Sequence, residues 1–183
     1  MNIILDHIGA VVVAGILLLS IFGFQATTGD AAMTQNFSSI AQTNLTSVTS
    51  IIETDFAMMG YRVGDSSKVV KPDTSGITYL TDLNDDGAVD SVKYYLSSTV
   101  SPGSHNSKTR TLFRAVNVKT PVAISNEVTQ FSLSYFDANG APTNATKKIR
   151  SVKIGLNMEN TYAVEGTFSG AYWERIIKPK NMR

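Results

Sequence analysis

The chain reads in two periods. From Ile8 to Phe24 all seventeen residues (IGAVVVAGILLLSIFGF) are uncharged, which at roughly 1.5 Å per residue gives about 25 Å of helix. Residues 1–5 (MNIIL) lengthen the apolar run toward the roughly 30 Å of a bilayer core and place Asp6 and His7 inside it or at its edge. Farther on, apolar residues recur at Phe37, Ile40, Ala41, Leu45, Val48, Ile51, Ile52, Phe56 and Met59, in steps of mostly three and four. That is the spacing of one amphipathic stripe. No proline occurs before Pro72, so the pattern predicts a single helix over residues 3–59, with Gly23 and Gly29 as its points of bending. Its other face is serine, threonine, asparagine and glutamine, which are weak helix formers, so packing of the stripe must supply most of its stability. Val48, Ile51, Ile52, Phe56 and Met59 are expected to be buried, and Phe37 and Ile40 to await another surface.

After Gly60 the period changes to two. Residues 77–80, 89–97, 109–116, 127–136, 148–158 and 171–178 alternate and are rich in β-branched and aromatic side chains, as strands are. Phe131, Leu133 and Tyr135 share one face of their strand, and Val152, Ile154, Leu156 and Met158 share one face of theirs. Asp137-Ala138-Asn139-Gly140 reads as a turn, and 97–108 as a polar loop. The predicted fold class is α+β: a long N-terminal helix, transmembrane in its first half and amphipathic in its second, packed on an antiparallel β-sheet. Residues 1–29 form the membrane-inserting part and 30–183 the domain outside it, with helix over 30–60 and sheet over 61–183.

Charge sharpens this division. Residues 1–60 carry Asp6, Asp30, Glu53 and Asp55 and no lysine or arginine, whereas 61–183 hold all sixteen basic residues and eleven acidic ones. The formal net charge of +1 argues against a strongly basic nucleic-acid binder, and the absence of cysteine excludes a disulfide framework, a thiolate metal site and a cysteine nucleophile. His7 and His105 are the two histidines; the first reads as an interfacial polar residue and the second as an exposed loop residue. The basic residues Lys147, Lys148, Arg150, Lys153, Arg175, Lys178, Lys180 and Arg183 read as a solvated face or a subunit contact, and Tyr172 and Trp173 as core or interface packing. No nucleophile, base and oxyanion donors come together along the chain, so catalysis is not expected.

The clearest local motif is Asp82-Leu83-Asn84-Asp85-Asp86-Gly87-Ala88-Val89-Asp90. Side-chain oxygens from Asp82, Asn84, Asp86 and Asp90, the Ala88 carbonyl and a sharp turn at Gly87 match the demands of calcium, with Asp85 turned to solvent. Lys93 stands where a helix-loop-helix site would place a bidentate glutamate, which favours a calcium loop between strands. Four carboxylates in nine residues repel one another without a cation. A polar hairpin turn that needs no metal is the competing reading.

In order along the chain, ETDFAMMGYRVG (53–64), ITYLTDLNDDGAVDSVKYYL, EVTQFSLSYFDANG, IRSVKIGLNM and the ending IIKPKNMR resemble the helix-to-sheet junction and successive strands of type IV pilin-like proteins. The similarity is to minor pilins of the W class and J-class pseudopilins of type II secretion, and it covers most of residues 8–183. It implies a structural subunit of a pilus or pseudopilus filament, with other copies or other pilin-like subunits, the membrane before assembly, and an export and assembly machinery as partners, and no nucleic acid. It also implies an inner-membrane location through the N-terminal helix, followed by a cell-surface or periplasmic filament. Family members are normally made with a short basic leader and bear a glutamate at the fifth mature position. Here Leu5 is fifth from Met1 and the carboxylate is Asp6, which becomes fifth if Met1 is removed; either a leader precedes this numbering or the chain is a divergent member. The resemblance implies that this carboxylate pairs with a neighbouring subunit's terminal amine. Close helix packing is then expected at the small residues Gly9, Ala10, Ala14 and Gly15. Two readings without a filament remain beside it. One is a single-pass anchored binding protein with a calcium-stabilised β domain, and the other is a secreted module that loses residues 1–26 or so.

Overall fold

In a computed structural model, residues 3–65 and 67–182 are described; Met1 and Arg183, both invoked above, and the side chain of Leu5 lie outside the described residues. One helix, α1 (Ile3–Ala57), runs for 55 residues, about 80 Å, without interruption at Gly23 or Gly29. It ends two residues before the expected Met59, where the chain turns at Gly60 (φ +78°). Hydroxyl side chains along the helix turn back on its own backbone. Ser20, Thr27, Thr28, Thr34, Thr43, Thr46, Ser47 and Thr54 each donate to the carbonyl four residues back, so these donors are satisfied within the helix.

Seven strands follow: β1 (Val69–Pro72), β2 (Gly76–Thr81), β3 (Asp90–Val100), β4 (Arg110–Val116), β5 (Val122–Phe136), β6 (Ser151–Glu159) and β7 (Gly170–Ile177). They pair antiparallel in sequence order as one meander, so the α+β arrangement of a long helix on an antiparallel sheet holds. β1 was not anticipated from sequence. It is four residues long, ends in Pro72 and carries a register shift between Val69 and Lys71, features that spoil the alternation and also blunt a sheet edge. β5 begins at Val122, before the expected 127; β3 runs on to Val100, into the expected loop; and β6 begins at Ser151, after the expected 148.

Register puts one apolar row after another beneath the helix. Ile77 pairs with Tyr94 and Tyr79 with Val92; Phe131, Leu133 and Tyr135 pair with Leu156, Ile154 and Val152; and Leu156 pairs with Trp173. All of these are buried except Trp173, which packs on the cluster from its margin. From α1 the cluster takes Leu45, Val48, Ile52 and Phe56, with Met59 just beyond the helix end. The Phe56 ring sits between Tyr79 and Tyr94, both at a centroid distance of 5.6 Å. Ile51 corrects the expectation: it is 41% exposed while Ile52 is fully buried. Successive helical residues are about 100° apart, so the sheet covers one neighbour and leaves the other outside.

Candidate functional site: the assembly helix and the acidic loop

The first half of α1 has nothing packed on it. Ile3, Ile4, Ile8, Val11, Val12, Val13, Ile16, Leu17, Leu18, Leu19, Ile21, Phe22 and Phe24 are all at least half exposed. The helix is long and apolar enough to cross a membrane, and its apolar run is not buried by the rest of the protein. Asp6 lies in the first turn, followed at four-residue steps by Ala10 and Ala14 and at three by Gly9, so these four lie on one broad face. Gly15, nine residues from Asp6, falls on the opposite side. The five residues therefore do not make a single seam. Gly9 and Gly15 have no atom within 4 Å of the position a Cβ would take, which leaves both open to a neighbouring helix.

Exposure continues above the apolar run. Met33, Ile40 and Ile51 are exposed, and with Phe22 their spacings of 7, 11 and 18 residues bring them back to nearly the same side of the helix. Ile40 and Ile51 stand about 24 and 40 Å beyond Phe24 along the axis. A bilayer around the run at 8–24 would not reach them. Phe37 is half-buried, and its carbonyl accepts the Asn160 side-chain amide at 2.8 Å.

Where the helix meets the sheet, charges that the sequence left unassigned are paired. Asp55 is buried and accepts Tyr94 Oη at 2.6 Å and the Arg114 guanidinium through Nε at 2.5 Å and Nη2 at 3.2 Å. Burial, then the Asp55 charge, pushes the Tyr94 hydroxyl far above its usual range, while the hydrogen bond to Asp55 holds Arg114 protonated. Closer to the surface, Glu53 pairs with Arg175 at 2.6 Å. The available signal was the place of Asp55 on the buried stripe, three residues from Ile52 and next to Phe56. A carboxylate there requires a partner, but the partner is 59 residues away in sequence.

Residues 82–89 connect β2 to β3, and Asp90 opens β3. Asp82 is fully buried and accepts the amides of Asp86 (3.2 Å) and Gly87 (3.0 Å), with Gly87 at φ +85° making the turn. Asp90 accepts the Leu83 amide and the Asn117 side chain at 3.1 and 2.6 Å. Asp86 accepts the Ala88 amide and the Asn84 side chain, which hold its carboxyl below the usual range. Asp85 is largely exposed but not left to solvent: it accepts the Tyr61 hydroxyl at 3.0 Å and pairs with Arg62 at 2.8 Å. Arg62 also reaches Asp82, at 3.4 Å. The repulsion among the carboxylates thus has a counter-charge within the chain, supplied by the Gly60-Tyr61-Arg62 junction that ends the helix. Among the described residues no group of three or more acidic or histidine side chains is arranged to hold a metal ion.

Other residues singled out from sequence stand apart from both sites. His105 is exposed and lies against Tyr162 with centroids 4.8 Å apart and the rings tilted by 34°, and Lys153 pairs with Glu174 at 2.9 Å. Tyr172 is exposed and donates to Glu174 at 2.7 Å. The chain matches no family model and no curated protein sequence.

Proposed function

We propose that the protein is a structural subunit of a type IV pilus-like or pseudopilus filament, held in the membrane by α1 before assembly and packed through α1 afterwards. The observation that carries this reading is the exposed apolar surface of α1 over the run at 8–24, followed on one side of the helix by the separate exposed residues Met33, Ile40 and Ile51. A bilayer covers the lower part and only protein covers the upper part. The internal hydrogen bonds of the hydroxyl side chains support the same reading, because they let a serine- and threonine-rich helix enter a helix bundle without stranding donors. Asp6 is assigned the pairing role at the start of the helix, since an unpaired carboxylate inside such a bundle is costly.

Calcium at the 82–90 loop belongs to the proposal. Asp82, Asn84, Asp86, Ala88 and Asp90 would hold the ion, which supplies the positive charge that Arg62 otherwise provides; the tight turn at Gly87 supports this assignment.

The test of the subunit role is the Asp6→Ala variant. It is expected to fractionate with membranes and fold as the wild type does, while losing incorporation into filaments scored by immunogold labelling. Normal incorporation would remove Asp6 from the mechanism. Fractionation and N-terminal mass spectrometry of the endogenous protein separate a filament subunit from an anchored monomer and from a secreted, cleaved module.

A further inference from the structure

Three Asn-x-Ser/Thr triplets occur in the chain, at Asn36-Phe37-Ser38, Asn44-Leu45-Thr46 and Asn144-Ala145-Thr146. Such a triplet marks an acceptor for N-linked glycan only where it lies in an accessible surface loop, and the three differ sharply in that respect. Asn36 and Asn44 are inside α1. Asn44 is half-buried and donates its Nδ2 to Glu127 at 2.8 Å, so its nucleophilic nitrogen is already engaged. Asn144 is exposed and lies between β5 and β6, in a stretch without helix or strand. The Ala145 amide is held by Thr143 Oγ1 at 3.2 Å, and the Lys148 amide by the Ala145 carbonyl at 2.8 Å, which keeps Asn144 at the outside of a short turn. The loop also borders an open cleft of about 530 Å³, lined in part by Pro72, Phe136 and Pro142, which leaves room beside the acceptor for a bulky substituent.

We infer that Asn144 is an N-glycosylation site, with an oligosaccharide carried on a polyprenyl phosphate as co-substrate. The inference rests on the proposed placement of residues 30–183 outside the cytoplasm. In the transfer, Asn144 Nδ2 attacks the anomeric carbon of the first sugar. A C–N bond forms, the bond from that carbon to the phosphate oxygen breaks, the phosphate leaves with its lipid, and the amide proton passes to a base of the transferase. Thr146 is the positioning residue, through its hydroxyl.

The test is mass spectrometry of the full-length protein purified from its own cells, read on the tryptic peptide 120–147, together with protease accessibility of the domain on spheroplasts, whose outer membrane face is open to the protease while the cytoplasm stays closed. The expected result is a glycan mass increment on that peptide, lost in both Asn144→Gln and Thr146→Val and kept in Asn36→Gln and Asn44→Gln. An unmodified peptide from a domain that protease does reach would overturn the inference and leave the filament reading standing. An unmodified peptide from a domain that protease does not reach would overturn both. An increment that survives Asn144→Gln would also overturn it.

Discussion

Arg114 of β4 donates two hydrogen bonds to Asp55, two residues before the end of α1, and so fixes where along the sheet the helix sits. Apolar contacts between a helix and a sheet tolerate sliding by a turn; a bidentate ion pair with a Tyr94 hydroxyl closing its third side does not. Removing one partner leaves a buried charge, so Asp55→Ala is expected to destabilise the domain by about 3 kcal/mol, whereas the double change Asp55→Leu/Arg114→Met should recover most of that loss. Chemical denaturation of the fragment 30–183 checks this. If the double variant is as unstable as the single one, the pair is not the source of the effect.

The division of the stripe gives a graded expectation. Phe56 is fully buried between two tyrosine rings, so Phe56→Ala should lower stability by about 3–5 kcal/mol. Ile51→Ala and Phe37→Ala should each lower it by less than about 1.5 kcal/mol in the same fragment, because the sheet covers neither completely. Unfolding curves for the three variants decide the ranking. A loss at Ile51 equal to that at Phe56 would mean that the helix face is wrongly assigned.

Alkali should unfold the domain through its buried tyrosines. Burial, reinforced by the Asp55 charge, raises the Tyr79 and Tyr94 hydroxyls far above their usual range, and burial raises Tyr135 as well. A raised pKa in the folded state contributes stability that is complete below the unfolded value of about 10 and is lost as pH rises beyond it. Ultraviolet titration of the tyrosines should therefore show three of the seven ionising together with the loss of tertiary circular dichroism. Smooth ionisation of all seven while the fold persists would contradict the buried placement.

For the acidic loop, the expected outcome is that millimolar calcium raises the unfolding midpoint of the fragment 30–183 and that chelator reverses the rise. Binding to the folded state alone stabilises by RT ln(1 + [L]/Kd), about 2.7 kcal/mol at a hundredfold excess over Kd. Asn84→Ala/Asp86→Ala, which spares the buried Asp82, should abolish the response. No shift and no heat of binding would leave Arg62 as the loop's counter-charge.

The strands were legible where alternation is clean. Val152, Ile154, Leu156 and Met158 are buried on one face as their spacing predicts, because β6 has a sheet neighbour on each side and the core over one face. β1 was hidden since Val-Val-Lys-Pro carries too few residues to show a period. The amphipathic helix was legible as a stripe, but a stripe read from sequence is wider than the sheet that covers it, and Ile51 fell on its uncovered flank. The acidic loop was found by its spacing. Its neutralising cation, Arg62, was not, because the pair forms only once Gly60 and Tyr61 fold the end of the helix against β2: the Gly60 amide donates to the Leu80 carbonyl at 2.9 Å, and the Asp82 amide to that of Tyr61 at 2.9 Å.

The central claim is that α1 of one copy is covered by other copies. The chain has no cysteine, so pairs introduced on α1 report helix proximity without background. Double variants that combine one position among residues 8–18 with one among 19–33 should, after mild oxidation of intact cells, yield a ladder of disulfide-linked multimers in sheared surface or periplasmic material for at least one register, and at most dimers when either cysteine stands alone. If every pairing gives only monomer in the membrane fraction, α1 is a solitary anchor and the filament account is contradicted.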